Sequence, residues 1–260
     1  MSDWNAKHYL KYGQQRTRAA ADLVAGIQLE SPCTIVDLGC GPGNSTQRLR
    51  QRWPSADVTG VDHSDSMIEA AKHSYPRQNW CNADISTWSA QTSVDLVYSN
   101  AALHWVTNHD VIVPQLFAQV APGGALAFQI PSRTFPKVRE LIHDVSRESD
   151  WTERMEVPRN LLTMQPPAFY YDVLSGAAEA VDVWETEYHH VVDSTDAIVD
   201  WMASTGLRPF LAALNCDSER ASFTAQLQQK IDQAYDVRSD GKVLFPFRRT
   251  FVIAYRGLRK

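Results

Sequence analysis

A short apolar run that ends directly in a glycine-rich turn constrains the fold of this chain more than any other feature. The run covers residues 34–38, and the turn that follows reads Gly39-Cys40-Gly41-Pro42-Gly43. A continuous apolar run of this length predicts a strand that is buried on both faces. Glycines in the turn let a ligand approach the backbone closely. Strand–turn–helix units of this kind are typical of open α/β sheets, which bind ligands outside the carboxyl ends of their strands.

Strands and helices alternate along the first half of the chain. Further strands are predicted at about 58–62, 80–84, 95–99 and 125–130, and helices at about 6–27, 44–52, 66–73 and 110–120. Asn44 is expected to cap the helix that follows the glycine turn. This alternation predicts an α/β fold with a doubly wound, mainly parallel sheet, because parallel strands need helical crossovers.

The alternation stops after residue 131. Two more strand-like segments, at about 181–192 and 250–255, bring the predicted sheet to seven strands. Helical periodicity continues outside the sheet, at about 136–147, 196–214 and 217–235.

We expect residues 1–260 to form a single domain whose ligand-binding core lies at about 30–130. The later helices supply cap elements at about 132–165 and 193–240, placed over the carboxyl edge of the sheet.

The composition excludes several classes of partner. The net charge of −5 argues against nucleic acid, since binding to phosphates needs a basic surface. No apolar stretch approaches the roughly 20 residues of a membrane helix, and no signal peptide is recognisable. The four cysteines, Cys33, Cys40, Cys81 and Cys216, lack the spacing of a metal or redox site. We therefore expect a cytoplasmic, soluble protein with free thiols, no metal, no nucleic-acid partner and no membrane contact.

Three acids stand at the ends of successive predicted strands. Asp37 ends the first strand, Asp62 follows Gly41 by 21 residues, and Asp84 ends the third strand. A carboxylate in the position of Asp62 can accept both hydroxyls of a ribose. No phosphate-binding P-loop is present, and Asn44 stands where a dinucleotide-binding turn needs a small residue, which argues against a nicotinamide oxidoreductase.

These motifs resemble those of the class I S-adenosylmethionine-dependent methyltransferases. The matching residues are Val36 to Gly43, Asp62, Ala83-Asp84-Ile85 and Asp95 to Asn100. The resemblance implies a Rossmann-like fold in which Gly39 and Gly41 make room for the methionine part of the donor, Asp62 holds the ribose, and Asp84 and Ile85 line the adenine site. It also implies donor-site roles for Asp37, Cys40, Asn44, His63, Met67 and Asn100.

Further segments resemble the trans-aconitate methyltransferases of bacteria over nearly the whole chain. They are Met1 to Asn5, Tyr9 to Arg18, Trp53-Pro54, Asn100 to Trp105, Tyr170 to Asp172 and Thr205 to Pro209. His104 departs from this pattern, since that family typically has glutamine there. The resemblance implies methyl transfer to a small tricarboxylate.

A carboxylate nucleophile is already ionised at neutral pH, so we expect no residue to be required as a general acid or base. Arginine suits a tricarboxylate because its planar fork makes two parallel hydrogen bonds to a carboxylate. Arg208 and Arg249 are the preferred pair, and Arg16 is a third candidate. Tyr171, the Trp105 indole and His104 are candidate neutral donors.

Three alternatives remain at the level of sequence. A malonyl-carrier-protein methyltransferase also esterifies a carboxylate, but its acidic partner favours a basic rim that the net charge does not indicate. A donor-binding protein without catalysis would share the glycine turn. A nicotinamide oxidoreductase is the least favoured.

Overall fold

The structure is a computed structural model that describes residues 11, 13–133, 137–148 and 151–258, and the side chains of all of these except 13–16. The first residues of the helix predicted at 6–27 and the side chain of Arg16 therefore lie outside the described residues.

Seven strands form one sheet in the order β3-β2-β1-β4-β5-β7-β6. Their bounds are Thr34–Leu38 (β1), Asp57–Asp62 (β2), Asn79–Asn82 (β3), Val94–Asn100 (β4), Val120–Pro131 (β5), Ala180–Val192 (β6) and Val243–Tyr255 (β7). The pairs β1–β2, β2–β3, β1–β4 and β4–β5 are parallel, and β5–β7 is antiparallel. The predicted fold class, a doubly wound and mainly parallel seven-stranded sheet, is confirmed. The strand order reverses between β1 and β4, which is where ligands bind in such sheets.

The described α-helices are Gly13–Gly26 (α1), Asn44–Arg52 (α2), Asp65–Ser74 (α3), His109–Ala118 (α4), Lys137–Ser146 (α5), Glu156–Asn160 (α6), Pro167–Ser175 (α7), Thr195–Ala203 (α8), Arg208–Ala212 (α9) and Asp217–Ala234 (α10). Short 3-10 turns lie at Leu103–Trp105 and Glu153–Met155. Among the described residues, no helix is long and apolar enough to cross a bilayer.

The single helix predicted at 196–214 is wrong, because the chain forms two helices with a turn between them. Pro209 is the second residue of α9, where a proline needs no amide hydrogen bond, and it could not continue a preceding helix. Gly206 lies in the turn between the two helices. Helix α7, which begins at Pro167, was not predicted.

The chain divides into two compact units. The sheet unit comprises the described residues of 11–133, 163–185 and 249–258, and the helical unit those of 137–162 and 186–248. The boundary between the units falls inside β6 and β7.

The sheet unit has its core on both faces of the central strands. Tyr98 on β4 and Phe128 on β5 are fully buried, and Phe251 on β7 is stacked on Trp184 of β6 with ring centroids 4.8 Å apart. The burial of complete strands explains their continuous apolar sequence.

The helical unit is built around Phe223 of α10, which is fully buried and lies 5.4 Å from the Trp151 ring. Arg154 makes two hydrogen bonds of 2.9 Å with Glu219 at the surface of this cluster. The unit therefore has an apolar core of its own.

Candidate functional site

The glycine turn after β1 is fixed from one side and open on the other. The amides of Gly39 and Cys40 donate hydrogen bonds of 2.7 and 3.0 Å to the Val61 carbonyl of β2. Gly39 has a φ of +74°, and a Cβ added there would lie 2.1 Å from Cβ of Ala102. Gly41 has a φ of +54°, and nothing lies within 4 Å of a Cβ added there. The backbone at Gly41 can therefore be approached by a ligand.

The indole of Trp80 on β3 accounts for two more glycines. A Cβ added to Gly43 would lie 2.7 Å from this ring, and one added to Gly60 would lie 2.3 Å from it. The indole N–H donates to the Tyr75 carbonyl at 3.1 Å, which fixes the ring. Gly43 and Gly60 thus allow Trp80 to close one side of the turn.

The expectation that Asn44 caps helix α2 is wrong. The residue before the first helical turn is Gly43, with a φ of +93°, and no side chain caps this helix end. The left-handed conformation of Gly43 places Asn44 inside the helix as its first residue.

Asp62, at the end of β2, connects the glycine turn to the start of α3. One carboxylate oxygen accepts a 2.9 Å hydrogen bond from the Gly41 amide, and the other accepts one of 2.9 Å from the Ser64 amide. Asp62 is buried, whereas the neighbouring His63 side chain is 66% exposed with its Nδ1 3.6 Å from the carboxylate. Carboxylate oxygens have further lone pairs, so Asp62 can still accept hydroxyl groups.

Asp37, at the end of β1, has one satisfied and one unsatisfied oxygen. Its Oδ2 accepts hydrogen bonds of 2.7 Å from the hydroxyls of Ser45 and Thr46, whereas Oδ1 is buried without a partner. Burial raises the pKa of this carboxyl to about 6 against the opposing effect of the two hydroxyls, and repulsion by Asp62 adds to the increase. A buried carboxylate oxygen without a partner suits a cationic ligand.

Asn100 provides a second buried acceptor one strand away. Its Oδ1 has no hydrogen-bond partner. Because Asp37 lies opposite Tyr98 in the parallel pair β1–β4, Asn100, two residues further on, lies on the same face of the sheet as Asp37. The carboxyl edge therefore presents an unpaired carboxylate oxygen and an unpaired amide oxygen on one face.

The remaining predicted donor-site residues lie around the ends of β1 to β3. Ile85 is buried, and its Cδ1 lies 3.4 Å from a Cβ added to Gly39. Asp84 accepts hydrogen bonds of 2.8 and 2.7 Å from the amide and hydroxyl of Ser86, which lower the pKa of its carboxyl. Met67 is buried in α3.

Cys40 within the turn is buried, and its thiol donates to the Gly41 carbonyl at 3.5 Å. Burial raises the pKa of this thiol, and repulsion by Asp37 raises it further. It is therefore a packing group in its neutral form. No group of three or more potential metal ligands occurs among the described residues.

His104 and Trp105 lie in the 3-10 turn that follows β4. His104 is buried, and the centroid of its ring lies 5.3 Å from that of the Trp105 ring. The His104 carbonyl accepts a 2.9 Å hydrogen bond from the Thr163 amide, which ties this turn to the segment before α7.

The other candidate substrate residues are in different surroundings. Arg249 is buried on β7 opposite Pro131, at the carboxyl end of β5. Tyr171 is 52% exposed on α7, and the half-buried Arg208 begins α9 in the helical unit. The side chain of Arg16 is outside the described residues.

Sequence reasoning missed a buried hydrogen-bond chain behind the turn that carries His104. His109 Nε2 lies 3.0 Å from the Leu103 carbonyl, and Nδ1 lies 2.7 Å from the Tyr170 hydroxyl. A carbonyl only accepts, so Nε2 carries the proton and Nδ1 accepts from the tyrosine. The Tyr170 hydroxyl in turn accepts from the Gln165 amide at 3.3 Å. This chain fixes the 3-10 turn relative to α7.

Comparison with known proteins identifies relatives of this chain. A family model described as "Methyltransferase domain" matches residues 35–124. The trans-aconitate 2-methyltransferase of Azoarcus sp. (strain BH72) is 42% identical over 258 residues, which cover 98% of this chain and 100% of that protein.

Two solved structures show the same fold at low sequence identity. A putative methyltransferase from Bacillus halodurans has a TM-score of 0.60 and 14% identity, and the match covers 92% of this chain and 99% of the other. A phosphoethanolamine N-methyltransferase 2 of Haemonchus contortus, solved with phosphomonomethylethanolamine and S-adenosylhomocysteine, has a TM-score of 0.57 and 12% identity. That match covers 92% of this chain and 52% of the other.

Proposed function

Because this chain belongs to the trans-aconitate 2-methyltransferase family, we propose that it transfers a methyl group from S-adenosylmethionine to one carboxylate of trans-aconitate. The products are a monomethyl ester and S-adenosylhomocysteine. The observation that carries this proposal is the open face of the turn at Gly41, flanked by the Asp62 carboxylate and the unpaired oxygens of Asp37 and Asn100.

These residues fit the methyl donor in shape and charge. Asp37 and Asn100 present buried oxygens to the ammonium end of the donor, where a cation satisfies acceptors that the protein leaves unpaired. Gly39 and Gly41 leave room for its methionine part. Asp62 holds the ribose hydroxyls while it keeps its hydrogen bond to the Gly41 amide.

The adenine lies beyond β2 in this proposal. Ile85 supplies an apolar surface and Asp84 an acceptor for the adenine amino group, with Met67 and the exposed His63 at the rim. Cys40 and Asn44 contribute to the wall of the donor site through the turn itself.

When bound, S-adenosylmethionine supplies a methyl group activated by its positively charged sulfur. The acceptor carboxylate is ionised at neutral pH, so the protein removes no proton. Its residues hold the two reactants in line and exclude water, and such orientation lowers barriers by about 7–11 kcal/mol. No residue of this chain acts as a general acid or base in the proposed reaction.

Recognition of the tricarboxylate is assigned to cations and neutral donors. Arg208 and Arg249 are the proposed carboxylate-binding pair, with Arg16 as a third cation. His104, Trp105 and Tyr171 are the proposed neutral donors. The buried turn at His104 supports this assignment, since a fixed donor loses little entropy when it binds.

We also propose a reducing compartment, namely the cytoplasm, as the location of this enzyme. The described cysteines Cys33, Cys40, Cys81 and Cys216 are free thiols, as is usual there.

A scan of acids tests the proposal. The purified protein is incubated with S-adenosylmethionine and, separately, with trans-aconitate, cis-aconitate, citrate and malonyl-carrier protein, and S-adenosylhomocysteine formation is measured. We expect turnover with trans-aconitate to exceed that with the other acids. Preferential turnover of the malonyl-carrier protein would replace the proposed substrate, and binding of the donor without turnover of any acid would make the chain a donor-binding protein.

A further inference from the structure

Gln129 on β5 is a fully buried side chain whose amide is unsatisfied at both ends. Its exposed fraction is 0%, and neither Nε2 nor Oε1 has a hydrogen-bond partner. Protein interiors rarely leave such groups unpaired, because burial removes the hydrogen bonds that water would make. A buried amide without partners therefore indicates a group that is satisfied by something other than this chain.

Gln129 lies near the carboxyl end of β5, at the edge of the sheet that carries the proposed site. It lies opposite Asn100 of β4 on one side and opposite Phe251 of β7 on the other. The Gln129 carbonyl accepts a 2.8 Å hydrogen bond from the Ala101 amide, at the residue where the chain leaves β4 with a φ of +55°. The backbone of Gln129 is thus bonded to the first residue of the loop that leads to His104.

Directly paired residues of adjacent strands point to the same face of a sheet. Gln129 therefore shares a face with Asn100 and, two residues back along β4, with Tyr98, whose hydroxyl donates to the Ala20 carbonyl of α1 at 3.4 Å. Asp37 belongs to the same face through its pairing with Tyr98. Three strands in succession, β1, β4 and β5, thus each carry one polar side chain with a buried, unpaired atom.

The strand order separates the roles of these side chains. In the proposed function the donor reaches from Asn100 on β4, past Asp37 on β1, to Asp62 and Asp84 at the ends of β2 and β3. Adjacent strands are about 4.8 Å apart, so β5 lies roughly 10 Å from β1 in the opposite direction. The proposed donor contacts end at Asn100 on β4, so Gln129 on β5 lies one strand beyond them, on the side that the donor leaves to the acid.

We infer that Gln129 is a substrate-positioning residue whose amide Nε2–H donates a hydrogen bond to a carboxylate of the acid. This inference rests on the proposed function. A neutral amide orients a carboxylate and leaves most of its negative charge available for attack, whereas a guanidinium would pair with that charge directly. In this proposal Gln129 orients the acid, and the arginines bind its negatively charged carboxylates.

The test uses two variants that change the amide in different ways. Gln129→Met has a similar length and no polar atoms, and Gln129→Glu replaces the donating nitrogen with an oxygen. Gln115→Met is the matched control, because Gln115 is exposed on α4. Melting temperature, donor affinity in the absence of acid, and KM and kcat for trans-aconitate are measured for each.

We expect Gln129→Met to raise the melting temperature, since it removes an unsatisfied buried amide, and to raise the KM for trans-aconitate at least tenfold. Donor affinity should stay within threefold of wild type. Gln129→Glu should raise the KM further than Gln129→Met does, through repulsion of the acid. Gln115→Met should change none of these quantities.

Two results would overturn the inference while leaving the proposed function intact. One is an unchanged KM for Gln129→Met in an enzyme that esterifies trans-aconitate. The other is a loss of donor affinity as large as the rise in KM, which would assign Gln129 to the donor site. Absence of ester formation by the wild-type protein would overturn the proposed function and this inference together.

Discussion

The Asp62 carboxylate accepts a 2.9 Å hydrogen bond from the amide of Gly41, so the end of β2 holds the glycine turn that follows β1. The same carboxylate accepts from the Ser64 amide at the start of α3. Asp62 thus fixes the shape of the turn and, in the proposed function, also binds the ribose of the donor.

Replacement of Asp62 tests its proposed role in donor binding. Asp62→Ala is expected to weaken donor affinity by about 10- to 150-fold, because loss of a charged hydrogen-bond partner costs about 1.5–3 kcal/mol. Isothermal titration calorimetry with the donor measures the change. Glu69→Ala, an exposed substitution on α3, is the control and should bind the donor like wild type. Equal affinities of the Asp62→Ala and wild-type proteins would remove Asp62 from the donor site.

Asp37 is expected to make stability depend on pH in an unusual direction. Burial raises the pKa of this carboxyl to about 6 in the folded protein, whereas an aspartate in the unfolded chain keeps its ordinary pKa of 3.8. The folded protein therefore holds this proton more tightly than the unfolded chain does. The contribution of this group to the free energy of unfolding therefore falls as the pH rises from about 4 to 6. Urea denaturation of wild type and Asp37→Asn at several pH values isolates the effect. Their difference in stability should change across this window, and a constant difference would contradict the raised pKa.

The buried chain from Leu103 through His109 to Tyr170 is expected to stabilise the sheet unit. Tyr170→Phe leaves His109 Nδ1 and the Gln165 amide without their partner and should lower the free energy of unfolding by about 1–3 kcal/mol. Tyr171→Phe is the matched control, because Tyr171 is exposed and should shift stability by less than about 0.5 kcal/mol. Both free energies of unfolding are measured by urea denaturation. Similar losses for Tyr170→Phe and Tyr171→Phe would refute the stabilising role of these hydrogen bonds.

Substitution of Arg208 tests whether a planar guanidinium group binds a carboxylate of the substrate. It begins α9 beside the turn at Gly206, which holds its backbone in a defined conformation. Arg208→Lys is expected to impair use of trans-aconitate nearly as much as Arg208→Ala, because an ammonium cannot make two parallel hydrogen bonds to one carboxylate. Donor affinity should be unchanged in both variants. Steady-state kinetics and donor titration measure these effects, and wild-type turnover of the lysine variant would exclude two-pronged binding.

The sequence predicted the parts of the fold that depend on local pattern. The run before Gly39 and the alternation after it predicted the strands and their parallel arrangement, and Asp62 was placed correctly at the end of the second strand. Its hydrogen bond to the Gly41 amide was not predicted. These features follow from strand burial and from the short distance between paired strands.

Contacts between residues that are far apart in the sequence could not be predicted from local pattern. The packing of Trp80 on Gly43 and Gly60, and the contact of His109 with Tyr170 61 residues away, depend on the register of packed elements. The unpaired amide of Gln129 could not be predicted, since the sequence of an apolar strand does not show which side chains lie next to its glutamine. The helical periodicity on both sides of Pro209 predicted one helix over 196–214, although Gly206 and Pro209 are residues typical of a turn.

Identification of the product tests the central claim most directly. The protein is incubated with trans-aconitate and S-adenosylmethionine that carries an isotopic label on its methyl group, and the isolated product is treated with mild alkali. Transfer to a carboxylate predicts that the label is incorporated into the acid and then released by alkali as methanol, because a methyl ester is hydrolysed under these conditions. A labelled product that keeps its methyl group in alkali, or label that never enters the acid, would contradict the proposed reaction.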